Sequence, residues 1–203
     1  MFVRLLHYIK RHVSFLWPPI DWLNTLLFKW LHCRKFKRIV PEVIKEYGLT
    51  GFTFRKLEYR DLSAIKLLTD SQAPGRLDYF KPHGFEEKEL YKVFKNPAFL
   101  MMGAFEGRRM VGYFFLRFFW NRRCFVGRLI DQQYEGKGIG RVMNKIMYQI
   151  GWQSGFRVLS TISRNNRLVM KAHAKNDSMV VLKELYDDFL LVEFKPIGIS
   201  KNK

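Results

Sequence analysis

The sequence has few of the residues that stabilise small secreted proteins or hold metal ions. Among its 203 residues there are two cysteines, Cys33 and Cys124, which are too few for a disulfide framework and do not have the spacing of metal ligands. This scarcity favours a reducing compartment, so we expect a cytoplasmic protein without a metal site. Near the N-terminus, no stretch of about 20 residues avoids both a charge and the Pro18–Pro19 pair, so no membrane-spanning helix is predicted.

Acidic residues are also scarce relative to basic ones. Lysine and arginine together number 36 against 18 aspartate and glutamate residues, which gives a formal net charge of +18 and an isoelectric point near 10.1. A field of this sign attracts an anionic partner, so nucleic acid, acidic lipid and phosphorylated ligands stay open as partner classes. Because 48% of the residues are hydrophobic, the chain can bury one core, and general disorder is excluded.

The first 39 residues form a basic segment with helical apolar periodicity. They contain eight lysine or arginine residues and one acidic residue, Asp21. Two apolar stripes, one on each side of Pro18 and Pro19, predict two amphipathic helices that meet at a kink. The first stripe is Phe2, Leu5, Leu6, Ile9, Val13 and Leu16, and the second is Ile20, Leu23, Leu26, Leu27, Trp30 and Leu31. Lys10 and Arg11 break the apolar stretch that a secretory signal requires, so we expect the segment to remain in the mature chain.

Two interpretations of this segment stay open. Basic residues beside tryptophan and phenylalanine on one helical face suit the headgroups of an anionic membrane, which would make the protein peripheral on the inner face of that membrane. The alternative is a helix that packs on its own domain or on a second subunit of a homodimer, because amphipathicity shows only that one face is buried. We expect a linker over residues 40–50 and a second unit over residues 51–203.

From residue 51 the pattern changes to short β-prone runs that alternate with helical stretches. Strands are predicted over residues 52–57, 99–105, 110–120, 125–131, 158–162, 179–185 and 189–195, with helices over 61–70 and 86–95, one after the glycine-rich turn at 136–140 and one that opens at Asn165 and Asn166. The run 110–120 is apolar on both faces, which indicates a central strand covered on both sides.

A glycine-rich turn separates the strand that ends at Asp131 from the next helix. Gly136, Gly138 and Gly140 allow the backbone to come close to a ligand, and consecutive free N–H groups at a helix N-terminus bind phosphate oxygens. Two common phosphate motifs do not fit this turn. A P-loop requires Ser or Thr after Gly-Lys, and a dinucleotide-binding G-x-G-x-x-G would require a glycine at Arg141.

The remaining pattern, Gln133-x-x-Gly136-x-Gly138, resembles the coenzyme A signature of the GNAT N-acetyltransferase superfamily. Asn166, at the start of a later helix, and His173, seven residues after it, stand where this family has an asparagine and a tyrosine. The resemblance implies an α/β fold with a mixed sheet that splays between its fourth and fifth strands. It also implies acetyl-CoA as cosubstrate in the resulting cleft.

This resemblance spans about residues 51–196 and implies acyl transfer to a primary amine by direct attack on the thioester. A backbone N–H of the fourth strand holds the oxyanion in this family, which places that donor near Leu129 to Asp131. The residues implied around the coenzyme are Leu129, Ile130, Asp131, Gln133, Gly136, Lys137, Gly138, Ile139, Gly140, Arg141 and Asn166. His173 would return a proton to the leaving thiolate, since a histidine with a pKa of about 6.5 is a stronger acid than a thiol with a pKa of about 8.5.

The general base and the acceptor are less defined. The fourth strand lacks the glutamate that many GNAT enzymes place there, which leaves Asp131, His83 or a water relay, and Asp131 could instead cap the coenzyme loop. The candidate substrate-binding residues in the loop over residues 72–85 are Tyr79, Phe80, Lys81 and His83. Their basic and aromatic character favours an amino sugar or another envelope precursor at the membrane surface. Ribosomal protein or another polypeptide amine is the competing acceptor.

A non-catalytic interpretation stands beside the enzyme. A basic membrane-surface or RNA-binding module on a vestigial acyltransferase fold would explain the charge, and the missing glutamate and tyrosine support it. The three glycines of the coenzyme loop argue against it, because each carries a cost in conformational entropy that a module without a ligand has no reason to keep. We therefore expect an acyl-CoA-dependent N-acetyltransferase, with nucleic acid as a less favoured partner.

Overall fold

The structure is a computed structural model that describes residues 17–173, 176 and 178–196. The helices are α1 (Trp17–Glu46), α2 (Leu62–Asp70), α3 (Glu87–Phe94), α4 (Ile139–Gln153) and α5 (Arg167–His173). The strands are β1 (Thr53–Lys56), β2 (Phe99–Glu106), β3 (Arg109–Phe119), β4 (Arg123–Ile130), β5 (Arg157–Ser163), β6 (Met179–Glu184) and β7 (Phe189–Phe194). Short 3-10 helices precede α2 (Tyr59–Asp61) and follow β4 (Gln132–Tyr134). The predicted strands and helices beyond residue 51 are confirmed, with bounds that shift by one or two residues.

The seven strands form one mixed sheet in the order β1-β2-β3-β4-β5-β7-β6. Neighbouring strands are antiparallel except for β4 and β5, which run parallel. β3 lies inside the sheet, and seven consecutive residues from Met110 to Leu116 are buried. A run that is apolar on both faces therefore forms the central strand, as predicted.

The sheet splits between its fourth and fifth strands. β4 and β5 pair at only three positions, from Arg123 opposite Arg157 to Phe125 opposite Leu159, and both strands then continue without pairing to each other. The hydroxyl of Ser160 donates to the carbonyl of Val126 at 3.0 Å and bridges the strands where they diverge. The expected splay of the mixed sheet is thus present.

Apolar side chains cover both faces of the sheet. On one face, buried residues of α1 and α4 pack with alternate residues of the strands, including Phe114, Leu116 and Val126. On the other face, α2 and α3 pack with the intervening residues, including Tyr113 and Leu129. Because successive side chains of a strand point to opposite faces, β4 presents Val126 and Arg128 to the α4 side and Leu129 to the α2 side.

Helix α1 is longer than the sequence pattern predicts. It begins at Trp17, takes Pro18 and Pro19 into its first turn and continues to Glu46, which corrects the linker expected over residues 40–50. The physical reason is that Phe36, Val40 and Val43 continue an apolar stripe at helical spacing and are buried in the core. The predicted helix over residues 1–16 lies outside the described residues. Within the described part of the chain, no helix has the length and apolarity that crossing a bilayer requires.

Candidate active site

The divergence of β5 leaves one edge of β4 open. The N–H of Asp131, just after β4, donates to the carbonyl of Val111 on β3 at 2.9 Å. Because successive residues of a strand direct their backbone groups to alternate edges, the N–H groups of Arg128 and Ile130 point the other way, toward the side that β5 has left. Of the three residues expected to supply an oxyanion donor, Ile130 is the one with its N–H on the open edge.

The chain reverses from β4 into α4 through the glycine-rich loop. Gly136 and Gly138 have φ angles of 76° and 85°, a left-handed conformation that strongly favours glycine. The carbonyl of Gly138 accepts the N–H groups of Arg141 and Val142 at 3.0 and 3.3 Å and so closes the first turn of α4. Within the described residues, none of the five consecutive N–H groups from residue 136 to residue 140 has a hydrogen-bond partner. Such a series of donors at a helix N-terminus is an anion site.

Gly140 allows α4 to begin directly against the end of β4. A Cβ atom on this glycine would lie 2.9 Å from the side chain of Ile130 and 3.0 Å from a guanidinium nitrogen of Arg128. The first distance is shorter than real Cβ contacts and the second is at their lower limit, so a larger residue here would require the ends of the Ile130 and Arg128 side chains to shift. Gly140 therefore allows the Ile130 and Arg128 side chains to pack directly against the start of α4, at the mouth of the split.

Basic side chains surround this loop. Arg128 is partly buried below the start of α4, where its Nε donates to the Asn144 side chain at 2.8 Å. Burial lowers the pKa of Arg128, yet an arginine stays charged at neutral pH. Within the described residues Arg128 has no ion pair with a carboxylate. In the loop itself, the Lys137 ammonium lies 4.2 Å from the centre of the Tyr134 ring. The loop therefore combines free N–H donors with positive charge.

Asp131 is occupied by structural contacts. Its Oδ1 accepts the N–H of Gln133 at 3.0 Å, and its Oδ2 accepts the guanidinium of Arg109 at 2.9 Å. The residue is only 4% exposed. The sequence left two roles open for Asp131, and these contacts favour the role of a cap for the glycine-rich loop over that of a general base.

The loop over residues 71–86 crosses the open side of the split. The Phe80 ring lies beside β4, 3.5 Å from the position of a Cβ on Gly127, and it also packs edge-on against Tyr113 of β3. The centre of the Tyr79 ring, one residue earlier, lies 6.5 Å from the centre of the Phe189 ring at the start of β7. The loop thus reaches from β3 to β7, and it brings Tyr79 and Phe80 together near the mouth. Lys81 is exposed.

Arg76 connects this loop to the coenzyme loop. Its guanidinium forms an ion pair with Glu135. It also donates to the side-chain oxygen of Gln72 at 3.2 Å and to the carbonyl of Ile130 at 3.5 Å. One side chain therefore joins the loop over residues 71–86 to the glycine-rich loop.

His83 is held by two neutral partners. Its Nδ1–H donates to the carbonyl of Gly84 at 2.7 Å, which leaves Nε2 to accept the hydroxyl of Tyr113 at 2.8 Å. Burial is the main cause that lowers the pKa of His83, and the pKa of Tyr113 is raised well above its ordinary value by burial. A neutral imidazole with both nitrogens bonded is placed to position the loop rather than to take a proton from a substrate.

Solved structures share this architecture, although no model of a known protein family and no curated protein matches the chain. The GNAT domain of S. lividans PAT superimposes with a TM-score of 0.60 at 12% identity, covering 70% of this chain and 89% of that chain. The PaiA N-acetyltransferase of Thermoplasma acidophilum, in complex with coenzyme A, gives 0.59 at 17% identity and covers 71% and 99%. A chimera of the Vibrio cholerae spermidine N-acetyltransferase SpeG with hSSAT gives 0.57 at 18% identity and covers 72% and 96%. This chain has the GNAT fold.

Two further predicted site residues, Asn166 and His173, lie just before and at the end of the helix that follows β5 in this GNAT fold. Asn166 precedes α5, and its side-chain oxygen accepts the N–H of Val169 at 3.1 Å, which is a helix cap. His173 is the last residue of α5, and its side chain lies outside what the structure describes.

Sequence reasoning missed Arg76, Glu135 and Arg128. The sequence does contain a signal for Arg128, because a charged residue on a strand with apolar neighbours indicates a side chain that points into a polar site. The contact between Arg76 and Glu135 joins residues 59 positions apart, and no local pattern connects them.

Proposed function

We propose that the protein is an acyl-CoA-dependent N-acyltransferase that transfers acetyl from acetyl-CoA to a primary amine. The observation that carries the proposal is the series of free N–H groups over residues 136–140 at the open end of the split. The GNAT fold supports it, since one solved structure with this fold is an N-acetyltransferase in complex with coenzyme A and another derives from a spermidine N-acetyltransferase.

The residues present fit a coenzyme with a pyrophosphate. The N–H groups of the glycine-rich loop would bind its oxygens, and Lys137, Arg141 and Arg128 would balance its charge. The open edge of β4 offers the backbone groups of Arg128 and Ile130 to an extended amide-containing arm. Asn166 would be a further contact of that arm.

Acetyl-CoA supplies the acyl group as a reactive thioester when it is bound. The N–H of Ile130 would stabilise the negative charge that develops on the carbonyl oxygen, because it is a fixed donor on the edge that the acyl group would approach. His173 is proposed to protonate the leaving thiolate. Since His83 and Asp131 are each held by two contacts, water in the split is the favoured acceptor of the amine proton.

For the acceptor we propose an amino sugar or another envelope precursor at the membrane surface, with a polypeptide amine as the competing class. Two features favour an amino sugar that carries phosphate, as in a sugar nucleotide or a lipid-linked sugar: the net charge of +18, and a loop that places Tyr79 and Phe80 beside Lys81 at the mouth. Aromatic rings bind the faces of sugars and lysine binds phosphate.

Coenzyme binding is the first experiment. At about 100 times its dissociation constant, a ligand adds about 2.7 kcal/mol to the free energy of unfolding, so coenzyme A and acetyl-CoA should each raise the melting temperature with dose. Release of free thiol in the presence of amino sugars, polyamines and peptide amines then identifies the acceptor class. A folded protein that responds to neither coenzyme would contradict the proposal and favour the non-catalytic module.

A further inference from the structure

Helix α1 is attached to the domain by one of its sides. Asn24 is buried, and its side chain donates to the carbonyl of Phe118 and accepts the N–H of Trp120, both at 3.0 Å. One turn later the fully buried Phe28 stacks on the ring of Phe118 with a centroid distance of 5.3 Å. This side continues through the buried residues Phe36, Ile39 and Val43.

The opposite side of α1 is apolar and exposed. At about 100° per residue, Leu23, Leu26 and Trp30 fall on the side away from Phe28. Trp30 is 81% exposed and the neighbouring Trp22 is 66% exposed, while Leu23, Leu26 and Leu31 are each about half exposed. Except for Trp22, these residues belong to the second apolar stripe of the sequence. Within the described residues, the domain therefore buries a different set and leaves most of that stripe exposed.

The charges beside this stripe have one sign. Four basic residues are exposed just after or within it: Lys29, Arg34, Lys37 and Arg38. The acidic residue of this part of the helix, Asp21, forms an ion pair with Arg117 of β3 at 3.0 Å and so belongs to the attached side. We call the exposed apolar residues Trp22, Leu23, Leu26 and Trp30, together with these four basic residues, the outer face of α1.

We propose that the outer face of α1 binds the surface of an anionic lipid bilayer, with the helix lying along it. Tryptophan is favoured at the interface between headgroups and acyl chains, and leucine contributes buried apolar area there, while lysine and arginine bind anionic headgroups. The outer face of α1 combines all three kinds of residue: tryptophan, leucine and basic side chains.

The charge pattern also decides against a second copy of the chain as the occupant. In a dimer with two-fold symmetry the same patch meets itself, so each copy would bring its four basic residues to the contact and neither would bring an acidic partner. An anionic surface removes this repulsion. Nucleic acid would neutralise the charge but would leave the tryptophans and leucines without an apolar environment.

Vesicle binding tests the proposal with the full chain. We expect flotation with phosphatidylcholine vesicles that contain phosphatidylglycerol, much weaker flotation with phosphatidylcholine alone, and a blue shift of tryptophan emission on binding. The double variant Trp22→Ser with Trp30→Ser should bind the anionic vesicles at least about tenfold more weakly. Leu67→Ser, which removes a 70% exposed leucine from α2, is the matched control and should bind as the unmodified chain does.

Charge reversal separates a local contact from the effect of net charge. Each basic residue near an anionic surface contributes about fivefold to affinity, so Arg34→Glu with Lys37→Glu should weaken binding by more than about tenfold. Lys88→Glu with Lys92→Glu, on exposed positions of α3, lowers the net charge equally and should have little effect. Melting temperatures verify that all variants fold.

Three results would overturn the proposal. The first is undiminished vesicle binding by the tryptophan double variant. The second is an equal loss of binding in the α3 charge variant, which would assign the effect to net charge alone. The third is a dimer in analytical ultracentrifugation that the tryptophan variant abolishes, which would make the outer face a contact between copies.

Discussion

Replacing Gly138 with alanine tests whether the free N–H groups of the coenzyme loop bind the coenzyme. Gly138 has a φ of 85° immediately before α4, a conformation that costs an L-residue about 1–2 kcal/mol. A Cβ there would meet nothing closer than Leu49 at 3.9 Å, so the substitution adds backbone strain without a steric clash. We expect the free energy of unfolding to fall by that amount and the melting temperature to fall by about 2–8 °C.

Loss of coenzyme affinity should exceed this loss of stability. In the unmodified chain, coenzyme A at about 100 times its dissociation constant should raise the melting temperature by about 5–11 °C. An alanine that relaxes toward negative φ rotates the neighbouring peptide planes, so the N–H groups on both sides of residue 138 no longer converge on one anion. The coenzyme-dependent rise should then shrink to less than half.

Gly155→Ala is the matched control. Gly155 has a φ of 84° just after the other end of α4, and its nearest neighbour to a Cβ is Lys35 at 3.9 Å. The same strain should therefore lower the melting temperature by a similar amount while the response to coenzyme A is kept. A full coenzyme response in Gly138→Ala would refute the binding role of the loop, and an equal loss in both variants would show that general destabilisation is responsible.

Three further outcomes follow from the structure. His173→Ala should lower acetyl transfer by about 10²-fold or more with unchanged coenzyme affinity in calorimetry, and unchanged turnover would exclude its role as acid. Arg76→Ala should increase deuterium exchange in residues 72–85 with less than about 1 kcal/mol loss of stability, because its ion pair with Glu135 is partly exposed; unchanged exchange would show that the contact does not order the loop. The pKa of Asp61 is lowered in the folded protein, chiefly by its hydrogen bonds to Arg55. The ionised carboxylate therefore stabilises the fold above the ordinary aspartate pKa of about 3.9. This stabilisation is lost as the pH falls through the lower pKa of the folded state. In urea unfolding at pH 7, Asp61→Asn should therefore be about 2 kcal/mol less stable than the unmodified chain, and this difference in stability should shrink below pH 4. A stability difference that does not change with pH would contradict the ion pair.

The order of strands and helices beyond residue 51 was predictable because each element carries its own periodicity. The apolar run of β3 indicates a strand with two covered faces, and the glycines after Asp131 indicate a turn that needs left-handed conformations at residues 136 and 138. These signals lie within a few residues of the feature they predict. The split between β4 and β5 came from family resemblance and not from local pattern.

The attachment of α1 was not predictable in the same way. The helix has apolar residues on two sides, and a single sequence does not show which side the domain will cover. The polar Asn24 turned out to be buried, because its amide binds backbone groups of Phe118 and Trp120 at the end of β3. Only the tertiary structure pairs an asparagine with peptide groups about 95 positions away, and the same reasoning applies to Arg76 and Glu135.

Helix α1 shares its core with the sheet. Its buried residues Phe28, Phe36, Ile39, Val40 and Val43 each contribute about 1.5–3 kcal/mol, a total comparable with the whole stability of a typical domain. The helix is thus part of the folding unit and not a flexible tether. A lipid surface bound to its outer face would hold the mouth of the split at one fixed height and tilt, so an acceptor anchored in that surface would react only when its own spacer spans that height.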